Sequence, residues 1–211
     1  MVKTLTFGEE LTNSLTHGIS CLAVLIMFPI VSIIAWEKGS IVDVVGVSIF
    51  SICIFWMFLN STLYHTMAPG SKHKEIMRIM DHISIYIAIA GTYTPLCLSV
   101  IGGWQAIVVL IIQWSLVVFG IVFKILAKMR LPKVSVTIYL LMGWTVVMVF
   151  PAFWHNANPI LFWLIFAGGL CYSAGVIPFT IKNKRYTHSL WHIFVMAGAI
   201  CHYIGICFFL Y

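Results

Sequence analysis

The stretch KNKRYTHSLWHIFVMAGAICHYIGICFFLY, Lys182–Tyr211, decides the fold. It opens on the basic residues Lys182, Lys184 and Arg185 and then runs apolar from Ser189 to Tyr211. A helix of about 20 apolar residues crosses the hydrocarbon core of a bilayer. The spacing therefore predicts a transmembrane helix over 189–211 with a basic flank on one side. At that flank His188 and His192 stand at i and i+4, one turn apart on the same helical face.

Working outward, six more runs of comparable length fall at 18–36, 41–64, 82–101, 104–126, 134–154 and 159–181. They are continuous rather than alternating, which selects helices over barrel strands. Gly102-Gly103, the segment His155 to Pro159, and Pro132 with Lys133 mark breaks between them. The chain is 62% hydrophobic and 9% charged, far below the roughly 25% charge of soluble domains. The expected fold is an all-α membrane protein, a seven-transmembrane helix bundle forming a single integral membrane domain over 1–211. No cleavable signal peptide is expected, because residues 1–16 are polar or amphipathic. Cys21, Cys53, Cys97, Cys171, Cys201 and Cys207 lie in apolar runs without C-x-x-C spacing and read as packing residues.

The net charge of +6 does not point to nucleic acid, because the basic residues sit in short clusters between apolar runs. Lys3, then Lys72, Lys74 and Arg78, then Lys124, Lys128, Arg130 and Lys133, then Lys182, Lys184 and Arg185 all fall on one side; Lys38 falls on the other. The positive-inside rule then places the N-terminus in the cytoplasm and the C-terminus outside. The outer connections are short, so no external protein hormone is expected; membrane lipids are the expected partners.

On this topology the costly polar residues gather. The second run ends at Ser61-Thr62-Leu63-Tyr64-His65, the third begins beside Asp81-His82, and the last begins at His188-Ser189-Leu190-Trp191-His192. Ionisable groups near lipid need partners. Three imidazoles plus an open position make a catalytic zinc site, in which zinc lowers the pKa of bound water to about 7 and polarises a carbonyl. His65, His188 and His192 are the candidate metal ligands. Asp81 is the candidate general base, and Ser61 the residue that orients water or stabilises an oxyanion. Alone, Asp81 also fits an N-cap of the third helix, and another first-row metal suits the same ligands. Glu10, Asn13 and His17 share one helical face ahead of the first run and form a candidate outer shell, if they are not merely a solvated lead-in. His202 lies about 15 Å along the helix from His192, too far to bind the same ion, and reads as a buried hydrogen-bonding residue. His73, His82 and His155 read as loop or interfacial residues.

Taken together, the lead-in Glu9-Glu10-Leu11-Thr12-Asn13-Ser14-Leu15-Thr16-His17-Gly18, the Ser61-x-x-x-His65 element, Asp81-His82 and His188-Ser189-Leu190-Trp191-His192 resemble the hemolysin III family. This is the bacterial branch of the progestin and adiponectin receptor superfamily, and the resemblance covers essentially the whole chain. It implies seven helices in the bacterial cell membrane, a cytoplasmic N-terminus and zinc near the cytoplasmic face. By motif, His65, His188 and His192 match its zinc ligands, and Asp81 and Ser61 its acidic residue and serine. The wider superfamily includes alkaline ceramidases, which implies a zinc-dependent hydrolase of a lipid amide or ester. The alternatives are a non-enzymatic regulator or sensor of membrane state, and a haemolytic, pore-forming protein.

Overall fold

In a computed structural model, residues 5–127, 131–181 and 184–211 are described. Of the basic residues that set the expected orientation, Lys3, Lys128, Arg130 and Lys182 lie outside them. The described residues form helices α1 (Phe7–Lys38), α2 (Ile41–Thr66), α3 (Lys72–Leu96), α4 (Gly103–Ala127), α5 (Pro132–Gly143), α6 (Phe150–Asn156), α7 (Pro159–Thr180) and α8 (Thr187–Phe209). A π turn at Cys97–Ile101 prolongs α3, and a 3₁₀ segment at Trp144–Val149 joins α5 to α6. Seven spans result, with α5, the 3₁₀ segment and α6 together making the fifth, Pro132–Asn156. The expected seven-helix architecture is thus present.

Two boundaries differ from expectation. The first helix begins at Phe7 rather than near residue 18, so Glu10, Asn13 and His17 belong to the span and not to a separate lead-in. Thr6 caps it: its hydroxyl takes the Glu9 amide, while the Glu9 carboxylate returns to the Thr6 amide at 2.9 Å. The polar side chains that follow do not interrupt the helix, because Thr12, Thr16 and Ser20 donate to carbonyls four residues back. The third helix begins at Lys72, capped by Ser71, rather than at residue 82. Its first turns are too charged for an apolar run yet rich in good helix formers. Asp81 is therefore an interior residue of α3 and not its cap.

Breaks in the remaining helices have local causes. Pro95 cannot donate within α3 and its ring crowds the preceding turn; the chain widens into the π turn immediately after it. Gly102 and Gly103 then take φ of 63° and 62°, a conformation that side chains resist, and reverse the chain into α4. In the fifth span the loosened backbone is satisfied by side chains from elsewhere, as a low-dielectric interior requires. Gln113 donates to the Met142 carbonyl (3.0 Å), and Tyr93 donates to the Gly143 carbonyl (2.7 Å) while accepting from the Val146 amide (2.8 Å).

Helix α1 packs along α2 and α8, α2 along α3, and α7 along α8. This brings the start of α1, the end of α2, the start of α3 and the start of α8 to one end of the bundle. Leucine, isoleucine, tryptophan and phenylalanine side chains cover the outer faces, as expected of surfaces turned to lipid.

Candidate metal centre

At that shared end, three imidazoles converge. His65, in the last turn of α2, and His192, in the second turn of α8, are 3% and 2% exposed; His188 completes the group one turn earlier on α8. One ligand atom from each can be chosen so that all three lie within 4.8 Å of one another. The Nε2 atoms of His188 and His192 face each other at 3.2 Å. Nitrogens bound tetrahedrally at about 2.0–2.1 Å sit roughly 3.3 Å apart, so this pair already has the spacing that an ion imposes. His65 needs only a small adjustment to join it.

The unpaired atoms support the same fit. His65 Nδ1 donates to Glu10 Oε2 at 2.6 Å, which fixes the proton on Nδ1 and frees Nε2. That Nε2 is buried with no partner. A buried acceptor without a partner is disfavoured; a metal ion would satisfy it. An imidazole whose second nitrogen is held by a carboxylate is the usual arrangement around a protein-bound metal. Glu10 is itself held, its Oε1 lying 2.9 Å from Lys74 Nζ. Lys74 in turn donates to the Tyr64 and Met67 carbonyls at 3.1 Å each, closing the end of α2.

The other expected residues fall around the three histidines. His17 stacks on His192 with ring centroids 3.8 Å apart and meets Phe58 edge-on at 5.0 Å. Asn13 is fully buried, and its backbone lies against the His192 ring. Ser61 and Asp81 line the same cavity as His188 and His192, and the Ser61 side chain stands beside the Asp81 carboxylate. His202 is in the far wall, hydrogen-bonded to the Ile165 carbonyl. His73 and His155 are exposed near helix ends. His82 departs from the loop or interfacial expectation. It sits inside α3, lines the cavity, and its Nδ1 donates to the Arg78 carbonyl at 2.9 Å.

Two buried charged residues near the site escaped the sequence reading. Lys124, grouped there with connecting-segment lysines, is 2% exposed inside α4, with Nζ 5.6 Å from the Tyr139 ring centre and its charge felt by Asp81. The signal available was its position within an otherwise apolar run. Glu9 accepts from the Tyr186 amide at 2.9 Å, where the chain takes φ of 59° to enter α8.

The cavity runs from His188 and His192 into the bundle. Its envelope, mouth included, encloses about 1170 Å³, and α3, α5, α7 and α8 supply most of its walls. Beyond the polar mouth the lining is chiefly aliphatic and aromatic, including Met57, Ile85, Ile89, Val176, Phe179 and Val195.

Fold and site together define a multi-pass membrane protein, with seven helices around a histidine cluster able to hold a metal ion. The chain belongs to the family described as "Haemolysin-III related", which it matches over residues 5–203. It is 36% identical over 204 residues to the "Hemolysin-3 homolog" of Bacillus subtilis (strain 168), covering 97% of this chain and 95% of the relative. It is 34% identical over 201 residues to "Hemolysin-3" of Bacillus cereus, covering 95% and 91%. More distantly, it is 26% identical over 182 residues to the "Monocyte to macrophage differentiation factor" of Homo sapiens, covering 83% and 72%.

Proposed function

We propose that the protein is a metal-dependent hydrolase of a lipid amide or ester, with zinc as the resident ion and the site at the cytoplasmic face. The observation that carries this reading is the convergence of His65, His188 and His192 beside an apolar cavity that His188 and His192 line together with Ser61 and Asp81. A zinc ion held by His65, His188 and His192 supplies a Lewis acid that polarises a carbonyl and makes water a nucleophile near neutral pH.

The chain's own groups do the rest. Glu10 holds His65 in the tautomer that presents Nε2. Asp81 takes the proton of the attacking water, and Ser61 beside it holds the carboxylate and water in register. Lys124, a buried cation, supplies positive charge near Asp81. The apolar walls take up the acyl chain and keep bulk water from the reacting carbonyl.

The test is purified protein in lipid nanodiscs, analysed for bound metal and for turnover of N-acyl amides and fatty esters. Wild type is expected to hold about one ion per chain and to release fatty acid. Ser61→Ala and Asp81→Asn should keep the ion and lose turnover. Full metal content in both His65→Ala and His188→Ala would refute the metal centre. Absence of turnover across a broad lipid panel, with Asp81→Asn cells matching wild type, would refute the hydrolase.

The names of the Bacillus relatives favour a second reading, lysis of membranes. The cavity walls suit a lipid tail better than a water-filled pore, so lysis through released lipid products fits them better than a conduit. Protection of red cells by polymers of graded size would separate the two, since only a pore shows a size cut-off.

A further inference from the structure

The deep end of the cavity carries polar groups that chemistry at its mouth does not use. Most are satisfied by the protein. Trp144 Nε1 donates to Ser173 Oγ (3.0 Å), Ser173 Oγ donates to the Gly169 carbonyl (2.8 Å), and Thr92 Oγ1 donates to the Ala88 carbonyl (2.9 Å). Tyr93 is committed to the fifth span.

His202 is different. It is 7% exposed, and its Nε2 lies 3.0 Å from the Ile165 carbonyl. A carbonyl only accepts, so Nε2 carries the proton and Nδ1 keeps a free lone pair. That Nδ1 is buried and has no partner. Tyr172, also on the cavity wall, meets the His202 ring edge to face with centroids 5.4 Å apart. Among the described residues its hydroxyl is bonded to nothing.

The two rings are seated reciprocally by glycines. A Cβ on Gly168 of α7 would collide with the His202 ring, and one on Gly198 of α8 would lie 2.9 Å from the Tyr172 ring. The helices thus give up two side chains to lodge an imidazole and a phenol in an apolar wall.

We propose that His202 and Tyr172 are a recognition pair for a hydroxyl carried deep on an acyl chain whose carbonyl lies at the three-histidine centre. The hydroxyl donates to His202 Nδ1, after a small shift of the ring, and accepts from the Tyr172 hydroxyl. This rests on the lipid-hydrolase reading and narrows its substrate class to hydroxylated acyl chains. Ten residues separate His192 from His202, about 15 Å along the helix. An extended chain advances about 1.2 Å per bond. The hydroxyl therefore belongs roughly ten to thirteen bonds from the carbonyl carbon; a 12-hydroxy chain fits and a 2-hydroxy chain does not.

The test measures binding rather than turnover. Full-length, zinc-loaded protein in nanodiscs is titrated with stearic, 2-hydroxystearic and 12-hydroxystearic acid in competition with radiolabelled stearic acid. Wild type should bind the 12-hydroxy acid about fivefold tighter than stearic acid, the size of one net hydrogen bond, and the 2-hydroxy acid no tighter. His202→Phe and Tyr172→Phe should each bring that ratio towards one without weakening stearic acid. Tyr172→Phe removes a single oxygen and serves if His202→Phe does not fold. Equal binding of stearic and 12-hydroxystearic acid by wild type, or an unchanged ratio in Tyr172→Phe, overturns the pair and leaves the hydrolase reading standing. Failure of all three acids to bind overturns both.

Discussion

Replacing Glu10 with glutamine should weaken metal binding about tenfold without touching a ligand. The Glu10 carboxylate accepts from His65 Nδ1 at 2.6 Å, in a pair whose side chains are 0% and 13% exposed, so solvent screens it little. A hydrogen bond to a charged group in such surroundings is worth about 1.5–3 kcal/mol. At about 1.4 kcal/mol per tenfold, its loss spans roughly ten- to hundredfold in affinity. Glutamine keeps an acceptor and loses only the charge, which places it near the lower figure. Alanine leaves Nδ1 buried without a partner and takes the counter-charge from Lys74, whose Nζ lies 2.9 Å from Glu10 Oε1; it belongs near the upper. The assay is chelator competition on purified protein at fixed pH, with thermal unfolding followed in parallel to separate lost affinity from lost fold. Glu37→Gln, exposed near the opposite end of α1, is the control. Affinities within twofold of wild type in both Glu10 variants, while His65→Ala loses the ion, would refute the reasoning.

Other perturbations test the frame around the site. Tyr93→Phe strips a partner from the Gly143 carbonyl and the Val146 amide; it should cost about 2 kcal/mol and speed amide exchange selectively in 144–149. Gly120→Ala would place a Cβ 2.7 Å from the Tyr86 ring, and overpacking of that kind destabilises by about 1–3 kcal/mol, readable as a lowered Tm. Lys124→Met replaces a buried cation with an apolar side chain of similar length. Turnover should fall, because Asp81 loses its nearby counter-charge. Turnover equal to wild type would remove Lys124 from the chemistry.

What the sequence made legible followed from length and hydropathy. Seven runs of bilayer length predict seven spans, and the i, i+4 spacing of His188 and His192 survives because α8 is regular through both. Boundaries were less legible where a helix continues past the lipid. The charged start of α3 has no hydropathy signal, so its first turns were read as a connection and Asp81 as a helix start. The site residues that escaped notice act through geometry that spacing cannot reveal. In the sequence Glu9 reads only as part of the lead-in motif and Glu10 as an outer-shell candidate; consecutive residues on a helix point about 100° apart, so each reaches a different neighbour. Lys124 lies close to the end of an apolar run, where a lysine ordinarily extends to the interface; only the packing of α3 and α5 around it reveals burial.

That divergence of Glu9 and Glu10 explains why α1 belongs to the metal centre although it supplies no candidate ligand. Glu9 accepts from Tyr186 at the turn leading into α8, which carries His188 and His192; Glu10 holds His65 on α2 and meets Lys74 on α3. One helical turn therefore fixes the helix that bears two candidate ligands against the helix that bears the third. His17 extends the contact by stacking on His192. An ion at the centre would join α2 to α8 directly, and the first turns of α1 join the same two helices from outside. Metal binding would thus draw on the same helix-packing free energy as the docking of α1, as expected when a site is assembled by the fold that it completes. The resulting rigidity would suit the proposed hydrolysis, because Ser61 and Asp81 stand on α2 and α3, and both helices are fixed by Lys74 and Glu10.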